Sequence, residues 1–142
     1  MNYFYLPVEE YTTPNPVTAT EDMSIEELSS LMKKYGVRHI PIVGGGDGVI
    51  GIVSERDLRL VSGLSQMEKV LVRAGDIMIG DPVTVTADMG LAEVAFEMSR
   101  KKIGSVIVND ENNKFLGIFT VTDALNALIE MSRGLKKTKR YT

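Results

Sequence analysis

This chain of 142 residues has no cysteine, no tryptophan and a single histidine, His39. Without thiols there is no disulfide, no thiolate nucleophile and no zinc-thiolate centre, and one imidazole is too few for a multi-histidine metal site. No metal or catalytic cofactor is therefore expected. The chain also lacks any run of eighteen apolar residues, the minimum for a membrane-spanning helix. Its opening residues, MNYFYLPVEEY, show neither a basic leader nor an apolar signal segment, so the expectation is a soluble cytoplasmic protein with no membrane partner. No nucleophile stands at a recognisable spacing from a base, and no carboxylate pair has catalytic spacing. An enzyme is the weakest of the function classes.

What is present is ordinary globular material, 44% hydrophobic and 25% charged, which places the chain away from disordered compositions. The charge is uneven. Residues 1 to 132 hold 11 Lys or Arg against 19 Asp or Glu, a balance of −8, whereas the tail RGLKKTKRYT (133–142) carries +5. Body and tail can therefore have different partners.

The strongest signal is a repeat. The stretch GIVSERD (51–57) returns as GIFTVTD (117–123), 66 residues later. The same offset lays NPVTATEDM (15–23) on DPVTVTADM (81–89) and Met32 on Met98. Between residues 16 and 60 no gap is needed and 11 of 45 positions are identical. Two copies of one supersecondary unit are the economical reading, and two copies make a packed pair rather than an open array.

Each copy has the same pattern. After a short extended piece around Val17 and Thr18, SIEELSSLMKKY puts Ile25, Leu28, Leu31, Met32 and Tyr35 on one helical face, with Ser24 and Glu27 spaced as a capping box. Its counterpart GLAEVAFEMSRKK repeats that face with Leu91, Val94, Ala95 and Met98. Two apolar runs follow, HIPIV and VIGIV in the first copy, SVIV and FLGIF in the second, each pair separated by a polar or glycine-rich pentapeptide. A second helix opens at Ser54 or Thr120 and runs on through Leu58, Leu60, Val61 and Leu64, or through Leu125, Leu128 and Ile129. The unit reads β-α-β-β-α, twice.

The run GGGDG (44–48) invites comparison with a phosphate cradle, but a P-loop leads from strand into helix and ends in Lys and Ser or Thr. Here it lies between two strands, and the second copy has DENNK in its place. It is a turn. His39 reads as a packed strand residue rather than a base, and the paired methionines 23 with 89 and 32 with 98 as core fillers.

Asp57 and Asp123 close the tetrapeptides Ser54-x-x-Asp57 and Thr120-x-x-Asp123. One reading is a helix cap, in which hydroxyl and carboxylate satisfy each other's amides. The other uses the same geometry: a helix start offers free amides to a phosphate, and an ionised carboxylate beside it accepts from two vicinal ribose hydroxyls. The two are compatible. Gly51 and Gly117 favour the second, because each brings bare backbone close to the carboxylate, as a flat base lying against a strand requires.

The duplicated unit, with DPVTVT, RHIPIV and GIVSERD in order, resembles a tandem pair of CBS domains, a Bateman module, over about residues 8 to 130. The resemblance implies an α/β fold in which two β-α-β-β-α repeats (8–66 and 74–132) pack sheet to sheet about a pseudo-twofold axis, followed by the basic tail. It implies clefts between the repeats that hold AMP, ADP, ATP or another adenosyl compound, and association into a homodimer. Carried over residue by residue, the ribose acceptors are Asp57 and Asp123 and their hydroxyl partners Ser54 and Thr120. Thr20 and Thr86 match a threonine beside the adenosine, and Arg38 and Arg56 match phosphate-reaching cations. The second copy departs from this with Gly104 and Thr122, leaving its cleft empty, suited to a less charged ligand, or served by Lys101 and Lys102.

The leading expectation is thus a regulatory module that binds an adenine nucleotide and signals through its oligomer or an unidentified effector protein. The alternative is a structural dimerisation module in which the Asp residues are caps only. Weak nucleic-acid binding through the basic tail is the last candidate, opposed by the acidic body and by the scarcity of tail aromatics. The second helices, exemplified by ALNALIEM (124–131), have apolar faces broad enough to pair between chains.

Overall fold

A computed structural model describes residues 6–46 and 48–135. The basic stretch 136–142 and Asp47 of the glycine run lie outside the described residues. Two units are present, one within residues 15–83 and the other made of the segment up to residue 14 together with residues from 84 onward.

In the first unit, β2 (Ala19–Thr20) leads to α1 (Ile25–Tyr35), then to β3 (His39–Val43), β4 (Val49–Ser54) and α2 (Glu55–Leu60). The remainder is α3 (Gln66–Leu71), α4 (Ala74–Ile77) and β5 (Ile79–Gly80). The sheet order is β2-β3-β4-β5, with β2 parallel to β3 and the other pairs antiparallel. Helix α1 forms where expected: the Ser24 hydroxyl accepts from Glu27 N at 3.1 Å, the Glu27 carboxylate accepts from Ser24 N, and Gly36 at φ 63° ends the helix in a left-handed cap. Its buried residues Ile25, Leu28 and Met32 join Ile40, Ile42 and Val53 in one core. Tyr35 does not; it is 52% exposed, at the last helical position, with Lys34 Nζ 5.3 Å from its ring centroid.

The second unit opens with a single 3-10 turn, Val8–Tyr11, and the short strand β1 (Thr13–Pro14). It continues with β6 (Thr84–Thr86), α5 (Leu91–Lys101), β7 (Ser105–Asn109), β8 (Phe115–Thr120) and α6 (Val121–Leu135). Its sheet order is β1-β8-β7-β6, the same arrangement as in the first unit with β1 in the place of β5. The core is built from Val8, Leu91, Val94, Met98, Val106, Ile107, Val108, Ile118 and Phe119, all buried. Two β-α-β-β-α repeats are therefore observed. Each sheet gains its outer strand from the segment that precedes a repeat: the N-terminal segment serves the second sheet, and the segment between the repeats serves the first.

One element departs from the sequence expectation. The second helix of the first copy stops at Leu60 rather than running through Leu64. Val61 leaves helical geometry, the Ser62 hydroxyl donates to Arg59 O at 2.7 Å, and Gly63 follows. Ser65 then caps α3 by a new box, accepting from Glu68 N at 3.2 Å. Apolar periodicity ran through this break because Leu64, Met67, Val70 and Leu71 continue it. Its local cap chemistry wins.

Candidate functional site

Strand β4 ends at Ser54, and α2 begins one residue later, so the chain turns at the S-E-R-D tetrapeptide. The Asp57 carboxylate accepts from Ser54 N at 2.8 Å, and the Ser54 hydroxyl accepts from Asp57 N at 3.2 Å. Both side chains are half-buried. The box uses only Oδ2 of Asp57, and no hydrogen bond to Oδ1 is found among the described residues. Across the sheet His39 is the register partner of Ser54, which brings its imidazole beside the same carboxylate. Burial holds the His39 pKa below its ordinary value; Asp57 opposes that shift and Arg38 adds to it.

Arg38 and Arg56 are both exposed. The backbone fixes Arg38 beside the tetrapeptide, since its carbonyl accepts from Glu55 N at 2.8 Å. Its guanidinium Nε lies 3.9 Å from the Glu55 carboxylate, which also stands 4.0 Å from Arg59 Nε. Exposed pairs of this kind contribute about 0–1 kcal/mol, so Glu55 does not commit Arg38 strongly.

The second repeat builds the same corner differently. The Asp123 carboxylate Oδ2 accepts from Thr120 N at 2.9 Å and from the Thr120 hydroxyl at 3.0 Å, while Asp123 N donates to that hydroxyl at 3.3 Å. The Thr13 hydroxyl of β1 donates to Oδ1 at 3.2 Å. Gly104 replaces Arg38, its carbonyl accepting from Val121 N at 3.1 Å. Lys101 is 3.6 Å from Glu97, and Lys102 is the left-handed cap of α5 at φ 57°.

Thr20 and Thr86 are placed elsewhere within their own units. Thr20 pairs with Val43 at one end of β3, whereas Ser54 pairs with His39 at the other, about 13 Å away along the strand. Thr86 pairs with Asn109, again opposite the Thr120 end of β7. Each threonine donates to the Asp two residues on, Thr20 to Asp22 and Thr86 to Asp88, the latter at 2.7 Å. Each is a turn-closing hydroxyl.

Gly51 and Gly117 have a local cause that the sequence did not show. A Cβ on Gly117 would collide with the Thr13 carbonyl oxygen, and one on Gly51 would come within 2.8 Å of Met78 Cγ and 3.0 Å of Ile79 O. Bare backbone is needed there to admit the outer strand. Thr13, Glu55 and the position of His39 beside Asp57 were likewise missed. The only sequence sign for Thr13 is that the 66-residue offset sets it against Ile79, a polar residue against an apolar one.

The duplicated corner, with one cap at each strand-to-helix turn, is matched by a family model for the CBS domain at residues 8–62 and again at 74–130. The chain belongs to the CBS domain family. Among solved structures, an acetoin utilization protein (AcuB) of Vibrio cholerae is 27% identical with a TM-score of 0.80, covering 95% of this chain and 98% of that one. The CBS domain pair of protein MJ0100, in complex with 5′-methylthioadenosine and S-adenosyl-L-methionine, is 25% identical with a TM-score of 0.76, covering 90% and 98%. Inosine-5′-monophosphate dehydrogenase of Haemophilus influenzae is 31% identical over 109 residues, which are 76% of this chain and 21% of the dehydrogenase. The first curated relatives are matched over only 21% to 60% of their own length. Among the described residues no helix is long and apolar enough to cross a membrane, and no group of three His, Asp or Glu is placed to hold a metal.

Proposed function

We propose that this protein is a regulatory module that binds an adenosyl compound, with Asp57 and Asp123 as ribose acceptors, and passes its occupancy to a separate effector or to a second copy of itself. The observation that carries this reading is the Asp57 corner: a half-buried carboxylate, one of whose oxygens has no hydrogen bond among the described residues, on a strand-to-helix turn that also carries the exposed Arg56 and is bonded through its backbone to the exposed Arg38. A CBS pair of the same fold holding two adenosyl compounds supports the ligand class. In this reading Ser54 and Thr120 hold the carboxylates in place, and the arginines favour a ligand with phosphate, AMP, ADP or ATP, at the first repeat. Thr20 and Thr86 are not assigned a contact.

A purely structural role is the second reading, and it is favoured by the self-sufficiency of the two capping boxes, which satisfy their own amides. Native mass spectrometry of freshly purified protein, followed by addition of AMP, ATP, methylthioadenosine and S-adenosylmethionine, separates the two. Retention or uptake of at least one adenosyl compound supports the proposal; bare protein throughout the series supports the structural role.

A further inference from the structure

An ionised carboxylate offers about four acceptor positions, two on each oxygen. At Asp57 the Ser54 amide takes one of them. A vicinal diol needs two, so Asp57 can cap its helix and hold both ribose hydroxyls together. At Asp123 the count differs: Thr120 N and the Thr120 hydroxyl occupy Oδ2, and the Thr13 hydroxyl occupies Oδ1. One position remains.

Thr13 reaches Asp123 because β1 pairs antiparallel with β8, Thr13 opposite Ile118 and Pro14 opposite Gly117. In the first repeat β5 makes the same pairing with β4, Ile79 opposite Ile52 and Gly80 opposite Gly51. The residue equivalent to Thr13 is therefore Ile79, which has no hydroxyl. The two corners share a backbone and differ in two donors: the Thr120 hydroxyl, whose counterpart Ser54 is also a hydroxyl residue, and the Thr13 hydroxyl, which has no counterpart in the first repeat.

We infer that Thr13 is a specificity-determining residue, which, by occupying Oδ1 of Asp123, makes the second repeat a single-hydroxyl acceptor while the first repeat accepts a diol. The inference rests on the adenosyl-binding reading above and adds a difference that reading does not require. A site that hydrogen-bonds two hydroxyls rejects a ligand that lacks one of them, because an acceptor is left without its donor. A site with room for one has little to lose. Thr13 is exposed, so its replacement does not open the core.

The test titrates the full chain with AMP and with 2′-deoxy-AMP in two backgrounds, Asp123→Asn, which leaves the Asp57 acceptor, and Asp57→Asn, which leaves Asp123. The expected preference for AMP is about tenfold or more in the first and under about threefold in the second. Adding Thr13→Val to Asp57→Asn raises the preference to about tenfold, and Thr13→Ser leaves it low. The reciprocal Ile79→Thr, added to Asp123→Asn, lowers the preference there. Overturning results are a strong ribose preference in Asp57→Asn that Thr13→Val does not alter, or an equal loss of both ligands on Thr13→Val. Wild-type protein that takes up none of AMP, ATP, methylthioadenosine and S-adenosylmethionine removes the adenosyl-binding reading and this inference with it, whereas failure to take up AMP alone, or binding with the wrong discrimination, removes the inference alone.

Discussion

At Asp57 one carboxylate answers a local need and leaves capacity for another, and its neighbours tune what it can do. His39 sits across the sheet from Ser54, so the one imidazole in the chain reports on this corner. Burial disfavours its charged form, and the folded state resists a proton that the unfolded chain accepts near pH 6.5. Stability is thus undiminished above about pH 6.5 and falls as the pH drops toward the lowered folded-state value. His39→Gln should flatten that slope in denaturant midpoints measured between about pH 7.5 and 5. An NMR titration of the imidazole should show its pKa lowered further by Asp57→Asn, because the Asp57 charge is what opposes the shift. A pKa that rises, or does not move, in Asp57→Asn would mean that the two side chains do not interact.

At the scale of elements, the outer strands β1 and β5 are decided by glycine. Gly117→Ala should destabilise the protein by about 1–3 kcal/mol, since the new methyl meets the Thr13 backbone rather than a flexible side chain. Gly45→Ala, in the turn between β3 and β4, meets nothing within 4 Å and should cost no more than about 0.5 kcal/mol. Chemical unfolding of the two variants checks the contrast; equal midpoints would show that β1 does not press on β8. The main repeat elements were legible because both periodicity and cap chemistry announce them, as in Ser24 with Glu27 and in the runs HIPIV and FLGIF. The outer strands were not. Two residues are too few to show a period, and each pairs with a strand more than 25 or 100 positions away in the chain. The candidate acceptors were legible through their tetrapeptides, but the inequality at Thr13 depends on that long-range pairing. The break after Leu60 was hidden because apolar spacing persists across it, and only the caps mark it.

At the scale of the molecule, α6 presents Val121, Leu125, Leu128 and Ile129 to solvent, each 48% to 58% exposed, on a helix whose Ala127 is buried. An apolar face of this kind is expected to be covered by a second copy of the chain. Leu128→Glu should weaken self-association about tenfold or more, as read by light scattering or sedimentation, through the loss of one buried leucine. A wild-type protein that is monomeric at micromolar concentration would contradict the homodimer. Effector signalling would then depend on a different surface. Whatever the assembly, the proposed function requires the repeated carboxylate to receive a ribose. The most direct test of that requirement is calorimetric titration of the adenosyl ligand that wild-type protein takes up, repeated on Asp57→Asn. Removing the charge-assisted acceptor should cost about 2–4 kcal/mol at that site, tens to hundreds of fold in affinity, with the fold intact; binding to Asp57→Asn that equals the wild type would show that the carboxylate is a helix cap and nothing more.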